Sequence, residues 1–124
     1  MVLITEDAGK KPTQKEDKVH IQIINFRLKG VSEEGYRRHC EAVAPALANL
    51  PGLVSTVWLA NPETNTYGGV YVWRDRRAME DYKRTDIYKG MLTNPNLDGV
   101  TVKDFAVLEN PTRVTHGLSD EVIV

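Results

Sequence analysis

Side chains able to move a proton or attack an electrophile are few and scattered in these 124 residues: three histidines, His20, His39 and His116, and one cysteine, Cys40. A lone cysteine cannot close an internal disulfide, and these four residues have no ligand spacing for zinc, so no metal site is expected. A reducing, cytoplasmic setting is the simplest one for such cysteine usage. His39 is the candidate base, because an imidazole exchanges protons near neutral pH; the plain alternative is a partly exposed histidine at a helix edge. Asn25 lies near the end of an apolar strand. If its face meets the helices it is a polar amide at the rim of a pocket, and otherwise it is a strand-end amide bonding backbone. Tyr71 and Trp73 share a strand face with Gly69, whose missing side chain leaves space for a flat ligand beside a wall of rings; the same rings serve equally as core. Trp58 supplies an indole N–H that can bond a ligand oxygen, or packs in the core or an interface. Tyr82 is a hydrogen-bond donor or a packed ring. Cys40 falls in an apolar stripe and behaves as a small hydrophobe. The basic residues from Arg74 to Arg84 are interrupted by Asp75, Glu80 and Asp81 and read as a solvated helix face.

The elements that must position these groups follow from periodicity. In Val19–Leu28, Val19, Ile21 and Ile23 alternate with His20 and Gln22, a strand pattern that Gly30 stops. Ser32 before two glutamates is a helix N-cap, and winding Gly35–Leu50 at 100° per residue puts Tyr36, Cys40, Val43, Leu47 and Leu50 on one stripe. Pro45 falls on the opposite side, where it removes one ladder bond, and Pro51-Gly52 ends the helix. Leu53–Ala60 and Tyr67–Trp73 are strands joined by the turn formers 61–66, a hairpin. Asp75 caps a helix with Ala78, Met79 and Tyr82 on one face; Ile87, Tyr88, Met91 and Leu92 suggest a further short helical piece. Val100–Leu108 is the last strand.

The order β-α-β-β-α-β, with two right-handed crossovers and a hairpin, predicts an α+β fold. Its plan is ferredoxin-like: a four-stranded antiparallel sheet with both helices on one face. Residues 1–17 read as a flexible tail, 18–110 as the domain and 111–124 as a C-terminal extension able to cross to a partner. The sheet face without helices is assigned Ile24, Phe26 and parts of the second and last strands, and His20 is assigned to a subunit interface. An apolar sheet face needs a cover, and a second copy of the chain is the simplest one, so a homodimer with sheets packed face to face is expected.

Composition narrows the partners. Sixteen Lys+Arg against seventeen Asp+Glu give a net charge of −1, which argues against nucleic acid. The RNA-recognition motif shares the topology, but Gln22 stands where its first strand needs a stacking aromatic. No apolar run approaches the ~20 residues of a membrane helix, and the charged start MVLITEDAGKK has no secretory core, so neither membrane insertion nor export is expected.

Pro51-Gly52-Leu53, Trp58, Glu63-Thr64, Gly68-Gly69-Val70-Tyr71-Val72-Trp73 and Asp75 resemble the dimeric α+β barrel superfamily. Within it the chain is most similar to the YdhR-type monooxygenases, relatives of the antibiotic-biosynthesis monooxygenases, over roughly residues 19–115. The resemblance implies a pocket in each subunit between sheet and helices, and oxidation of an electron-rich phenol or quinol by O2 with no metal or flavin cofactor. It also implies that a polar residue at Asn25 touches the ligand and that an aromatic at Trp73 faces the pocket. The site set is then Asn25 and His39 as oxyanion contact and base, with Trp58, Tyr71, Trp73 and Tyr82 as pocket wall. A cyclase or isomerase using the same base without O2, and a binding module without catalysis, are the alternatives on that pocket. Haem degraders of this kind need a ligating His on the second helix, and residues 75–92 contain none.

Overall fold

A computed structural model describes residues 18–118; the expected tail at 1–17 and the part of the C-terminal extension at 119–124 fall outside that range. Four strands form one antiparallel sheet: β1 (His20–Leu28), β2 (Leu53–Asn61), β3 (Thr66–Trp73) and β4 (Leu97–Ala106), in the order β2-β3-β1-β4. The helices are α1 (Glu33–Ala48), α2 (Arg76–Tyr82), α3 (Asp86–Thr93) and α4 (Glu109–Val114). This is the ferredoxin-like βαββαβ arrangement that the element order predicts, with the second helix broken in two.

The helix starts are set by side-chain caps. Ser32 Oγ accepts from the Gly35 N–H at 3.1 Å, Asp75 Oδ1 from Ala78 at 2.8 Å and Thr85 Oγ1 from Tyr88 at 3.2 Å. Thr85 is therefore what divides α2 from α3. The core gathers Ile24 and Phe26 of β1, Tyr67, Tyr71 and Trp73 of β3, Leu47 of α1, and Met79, Tyr82 and Tyr88 beneath the short helices.

Three expectations are corrected. The first is the phase of β1. His20, Gln22, Ile24 and Phe26 point to the helices and are buried, while Ile21, Ile23 and Asn25 point to the uncovered face. Both faces of β1 carry isoleucine, so alternation alone does not say which is inside. The polar residues on the inner face are each anchored by one bond: Gln22 Oε1 accepts the Trp73 indole N–H at 3.1 Å while its Nε2 has no partner, and His20 Nε2 lies 2.6 Å from Asp104 Oδ2. The second is β4, which runs from Leu97 to Ala106 instead of Val100 to Leu108. Gly99, at φ +64°, sits in a bulge opposite β1 between Asn25 and Arg27, and the bulge carries the pairing through Asp98 and Gly99 to the start of the strand. The third is the segment from Pro111, whose first residues belong to helix α4. Pro111 lies in the first turn, where a missing N–H leaves no helical bond unmade.

The register arranges the uncovered face in cross-strand rows. Val57, Val70 and Ile23 form one row and Val72, Ile21 and Phe105 the next. Val57 is 56% and Phe105 50% exposed.

Candidate functional site

A cavity of about 370 Å³ opens between the sheet and helices α1 and α3, within the range typical of small-molecule sites. Phe26, Trp58, Gly68 and Tyr71 form its sheet side. Tyr36, His39, Cys40, Val43 and Leu47 come from α1, spaced as the apolar stripe and its edge require. Tyr82 closes one end, and Asp86, Ile87, Gly90 and Met91 of α3 form the opposite wall.

Gly68 makes the floor possible. Its φ is +143°, and a Cβ there would overlap the Ile24 carbonyl oxygen, so only glycine brings β3 this close to β1 at the cavity. Gly69 does not open a slot, contrary to expectation: Tyr71 Cε1, the Val57 oxygen and Thr56 Cγ2 surround its Cβ position at 3.3–3.6 Å.

Two groups of rings stiffen the walls. Phe26 and Tyr36 meet edge-on with centroids 5.8 Å apart, and Tyr36 meets Tyr67 at 5.5 Å; the Tyr67 hydroxyl donates to Glu33 Oε1 at 2.6 Å. On the other side Tyr71 stacks nearly parallel to Trp73 at 6.2 Å, and Trp73 and Tyr88 flank Tyr82 at 5.1 and 5.2 Å.

Apart from Asp86 of α3 the lining carries no acidic side chain, and its phenols and thiol are held in their neutral forms. Burial raises the Tyr36 and Tyr82 hydroxyls far above the ordinary phenol range, helped by Cys40 for the first and by Tyr71 for the second. Burial raises Tyr71 and the Cys40 thiol as well. At neutral pH all four are protonated, so the tyrosines can donate hydrogen bonds and Cys40 is no nucleophile. His39 is exposed at the rim and is the one histidine of the lining.

Of the side chains anticipated from the sequence, His39, Trp58, Tyr71 and Tyr82 meet at this cavity. Trp73 is fully buried behind Tyr71 and Tyr82 and does not line it. Asn25 is on the opposite face of the sheet, its Nδ2 donating to the Tyr67 carbonyl at 3.3 Å, because the phase of β1 is inverted from expectation. Sequence reasoning missed Phe26, assigned to the wrong face, and the α3 wall. The signal for that wall was present as Ile87 and Met91, one helical turn apart. Among the described residues, no three His, Cys, Asp or Glu side chains gather as a metal would require, and no helix is long and apolar enough to cross a membrane.

The sequence model of one family, described as "Putative mono-oxygenase ydhR", matches residues 21–118. No curated protein matches the chain. Among solved structures, NE2512 of Nitrosomonas europaea, of unknown function, aligns with a TM-score of 0.63 at 13% identity, over 75% of this chain and 92% of its own. A mutant of SnoaB of Streptomyces nogalater, a cofactor-independent oxygenase, aligns with a TM-score of 0.60 at 19% identity, over 74% and 95%. The heme-degrader MhuD of Mycobacterium tuberculosis aligns with a TM-score of 0.59 at 17% identity, over 72% and 95%. At these identities the likeness is one of fold.

Proposed function

Because the chain belongs to the ydhR mono-oxygenase family, we propose that it oxidises an electron-rich aromatic, a phenol or quinol, with O2 and without a metal or flavin. The observation that carries this reading is the apolar, ring-walled cavity with His39 at its mouth. His39 takes the phenolic proton, and the protonated Tyr71 and Tyr82 hydroxyls hold the resulting oxyanion. The anion gives one electron to O2, and the radical pair recombines as a ring hydroperoxide. Loss of water from it leaves the quinone. The balance is one substrate and one O2 to one quinone and one water, and His39 returns its proton to the departing oxygen. The chamber's contribution is to exclude bulk water and keep the pair together.

The reading includes a homodimer. Its support is the array Ile21, Ile23, Val57, Val70, Val72 and Phe105, which a single chain leaves half-buried, with Val57 and Phe105 exposed.

The test is O2 uptake with 1,8-dihydroxyanthrone, whose quinone is followed by its absorbance. One O2 consumed per quinone, above the spontaneous rate and lowered in His39→Ala, is the expected result. Binding of the anthrone with no O2 consumption above background overturns the oxygenase and leaves a base-driven isomerase or a binding module.

A further inference from the structure

We propose that the groove between α1 and β2 is a second chamber of the same site, which takes a short, polar-ended substituent of the aromatic ligand. This inference rests on the reading of the main cavity as the ligand site. The groove has a volume of about 270 Å³. That equals roughly nine times the ≈30 Å³ a water occupies in the liquid, enough for a chain of several heavy atoms.

Three observations connect it to the main cavity. Leu47 and Trp58 line both hollows, so these two side chains border each chamber. Leu47 is buried in the core, whereas Trp58 stands on the outermost strand and is 39% exposed. Of the two, Trp58 is the one that solvent reaches. On its helical wall the groove has Ala44 and Ala48, which have nothing beyond Cβ to fill it.

The recognising group is Thr56. Its Oγ1 is buried and has no hydrogen-bond partner. A buried hydroxyl in that state is uncommon and unfavourable. Thr56 pairs with Tyr71 in the β2–β3 register, so it flanks the main cavity from the groove side. A hydroxyl both donates and accepts, so it suits a hydroxyl or carbonyl at the end of the substituent. In this proposal Trp58, which borders both hollows, is the side chain that moves to admit that end. A second copy of the chain is the weaker occupant. Thr56 and Trp58 alternate with Val57, so the groove opens on the helix side, and covering the opposite face leaves it free. The substrate class is thereby narrowed to phenols or quinols bearing a short side chain with a terminal oxygen.

The experiment measures calorimetric affinities for three stable probes: 1,4-naphthoquinone, its 2-butyl derivative and its 2-(3-hydroxypropyl) derivative. The protein is expected to prefer the hydroxypropyl over the butyl probe by about fivefold, the increment of one net hydrogen bond. Thr56→Val, which keeps the shape and removes the hydroxyl, is expected to bring that ratio to one and to raise the melting temperature. Ala48→Leu, which fills the groove, is expected to abolish the gain of the butyl probe over the parent ring. An unchanged hydroxypropyl-to-butyl ratio in Thr56→Val, or an unchanged butyl-to-parent ratio in Ala48→Leu, overturns the second chamber while the main site stands. Failure of the parent ring to bind wild-type protein overturns the main site and the second chamber together.

Discussion

His39 and Cys40 are neighbours on α1, and both border the cavity, yet their burial divides their roles. Burial keeps the Cys40 thiol protonated, whereas His39 reaches solvent and can pass a proton outward. His39→Ala is expected to lower kcat for an anthrone by about 10²–10⁴-fold with little change in KM, measured as initial O2 uptake. Gln22 has a structural role. It accepts the indole N–H of the fully buried Trp73, so Gln22→Leu leaves that donor stranded and should lower stability by about 1–3 kcal/mol in urea titrations. At the far end of the same face, the hydrogen bond from His20 holds the Asp104 carboxyl below the ordinary carboxylate range. A depressed carboxylate stabilises the fold above its unfolded pKa of about 3.9, and that contribution is lost as pH falls through the lower folded value. Asp104→Asn should therefore flatten the acid limb of the stability curve. The effect is small because 34% of the side chain is exposed.

At the scale of elements, local signals fixed the helices and the hairpin. Ser32 and Asp75 cap as their sequence context predicts, and the turn formers 61–66 join β2 to β3. What could not be read was decided by partners distant in sequence. The burial of His20 and Gln22 depends on Asp104 and Trp73, residues 84 and 51 positions away. No window of β1 reveals them, so alternation alone puts Asn25 at the pocket and Phe26 outside. His39, Trp58, Tyr71 and Tyr82 were legible as wall and rim because helical and strand periodicity aim them the same way. The α3 wall was not, because its apolar residues suit a packed core equally well. The close crossing of β1 and β3 depends on a single backbone position. Gly68→Ala adds a methyl against the Ile24 carbonyl at a φ that L side chains rarely adopt. A loss of roughly 3 kcal/mol, seen as a lower melting temperature and poorer soluble yield, is the expected outcome. Ser32→Ala should cost about 1 kcal/mol by removing the α1 cap.

For the whole molecule, the open sheet face is the feature that a lone chain leaves unresolved. Val57 and Phe105 are its most exposed large apolar members. A double substitution, Val57→Lys with Phe105→Lys, perturbs no buried packing and should convert a two-chain particle into a one-chain particle by light scattering, with the far-ultraviolet circular dichroism preserved. A wild-type mass of one chain would remove the homodimer from the proposed function. A different consequence follows from the rings. The chain has five tyrosines, and every one, Tyr36, Tyr67, Tyr71, Tyr82 and Tyr88, is raised above the ordinary phenol value. For Tyr67 the leading cause is its bond to Glu33, and for the other four it is burial. A raised phenol stabilises the fold below its unfolded pKa of about 10 and ceases to do so as pH rises through the folded value. In an alkaline spectrophotometric titration the phenolate band of the folded chain should therefore appear at higher pH than that of the denatured chain. Tyr36 and Tyr82, the two rings that burial raises furthest, should be the last of the five to ionise.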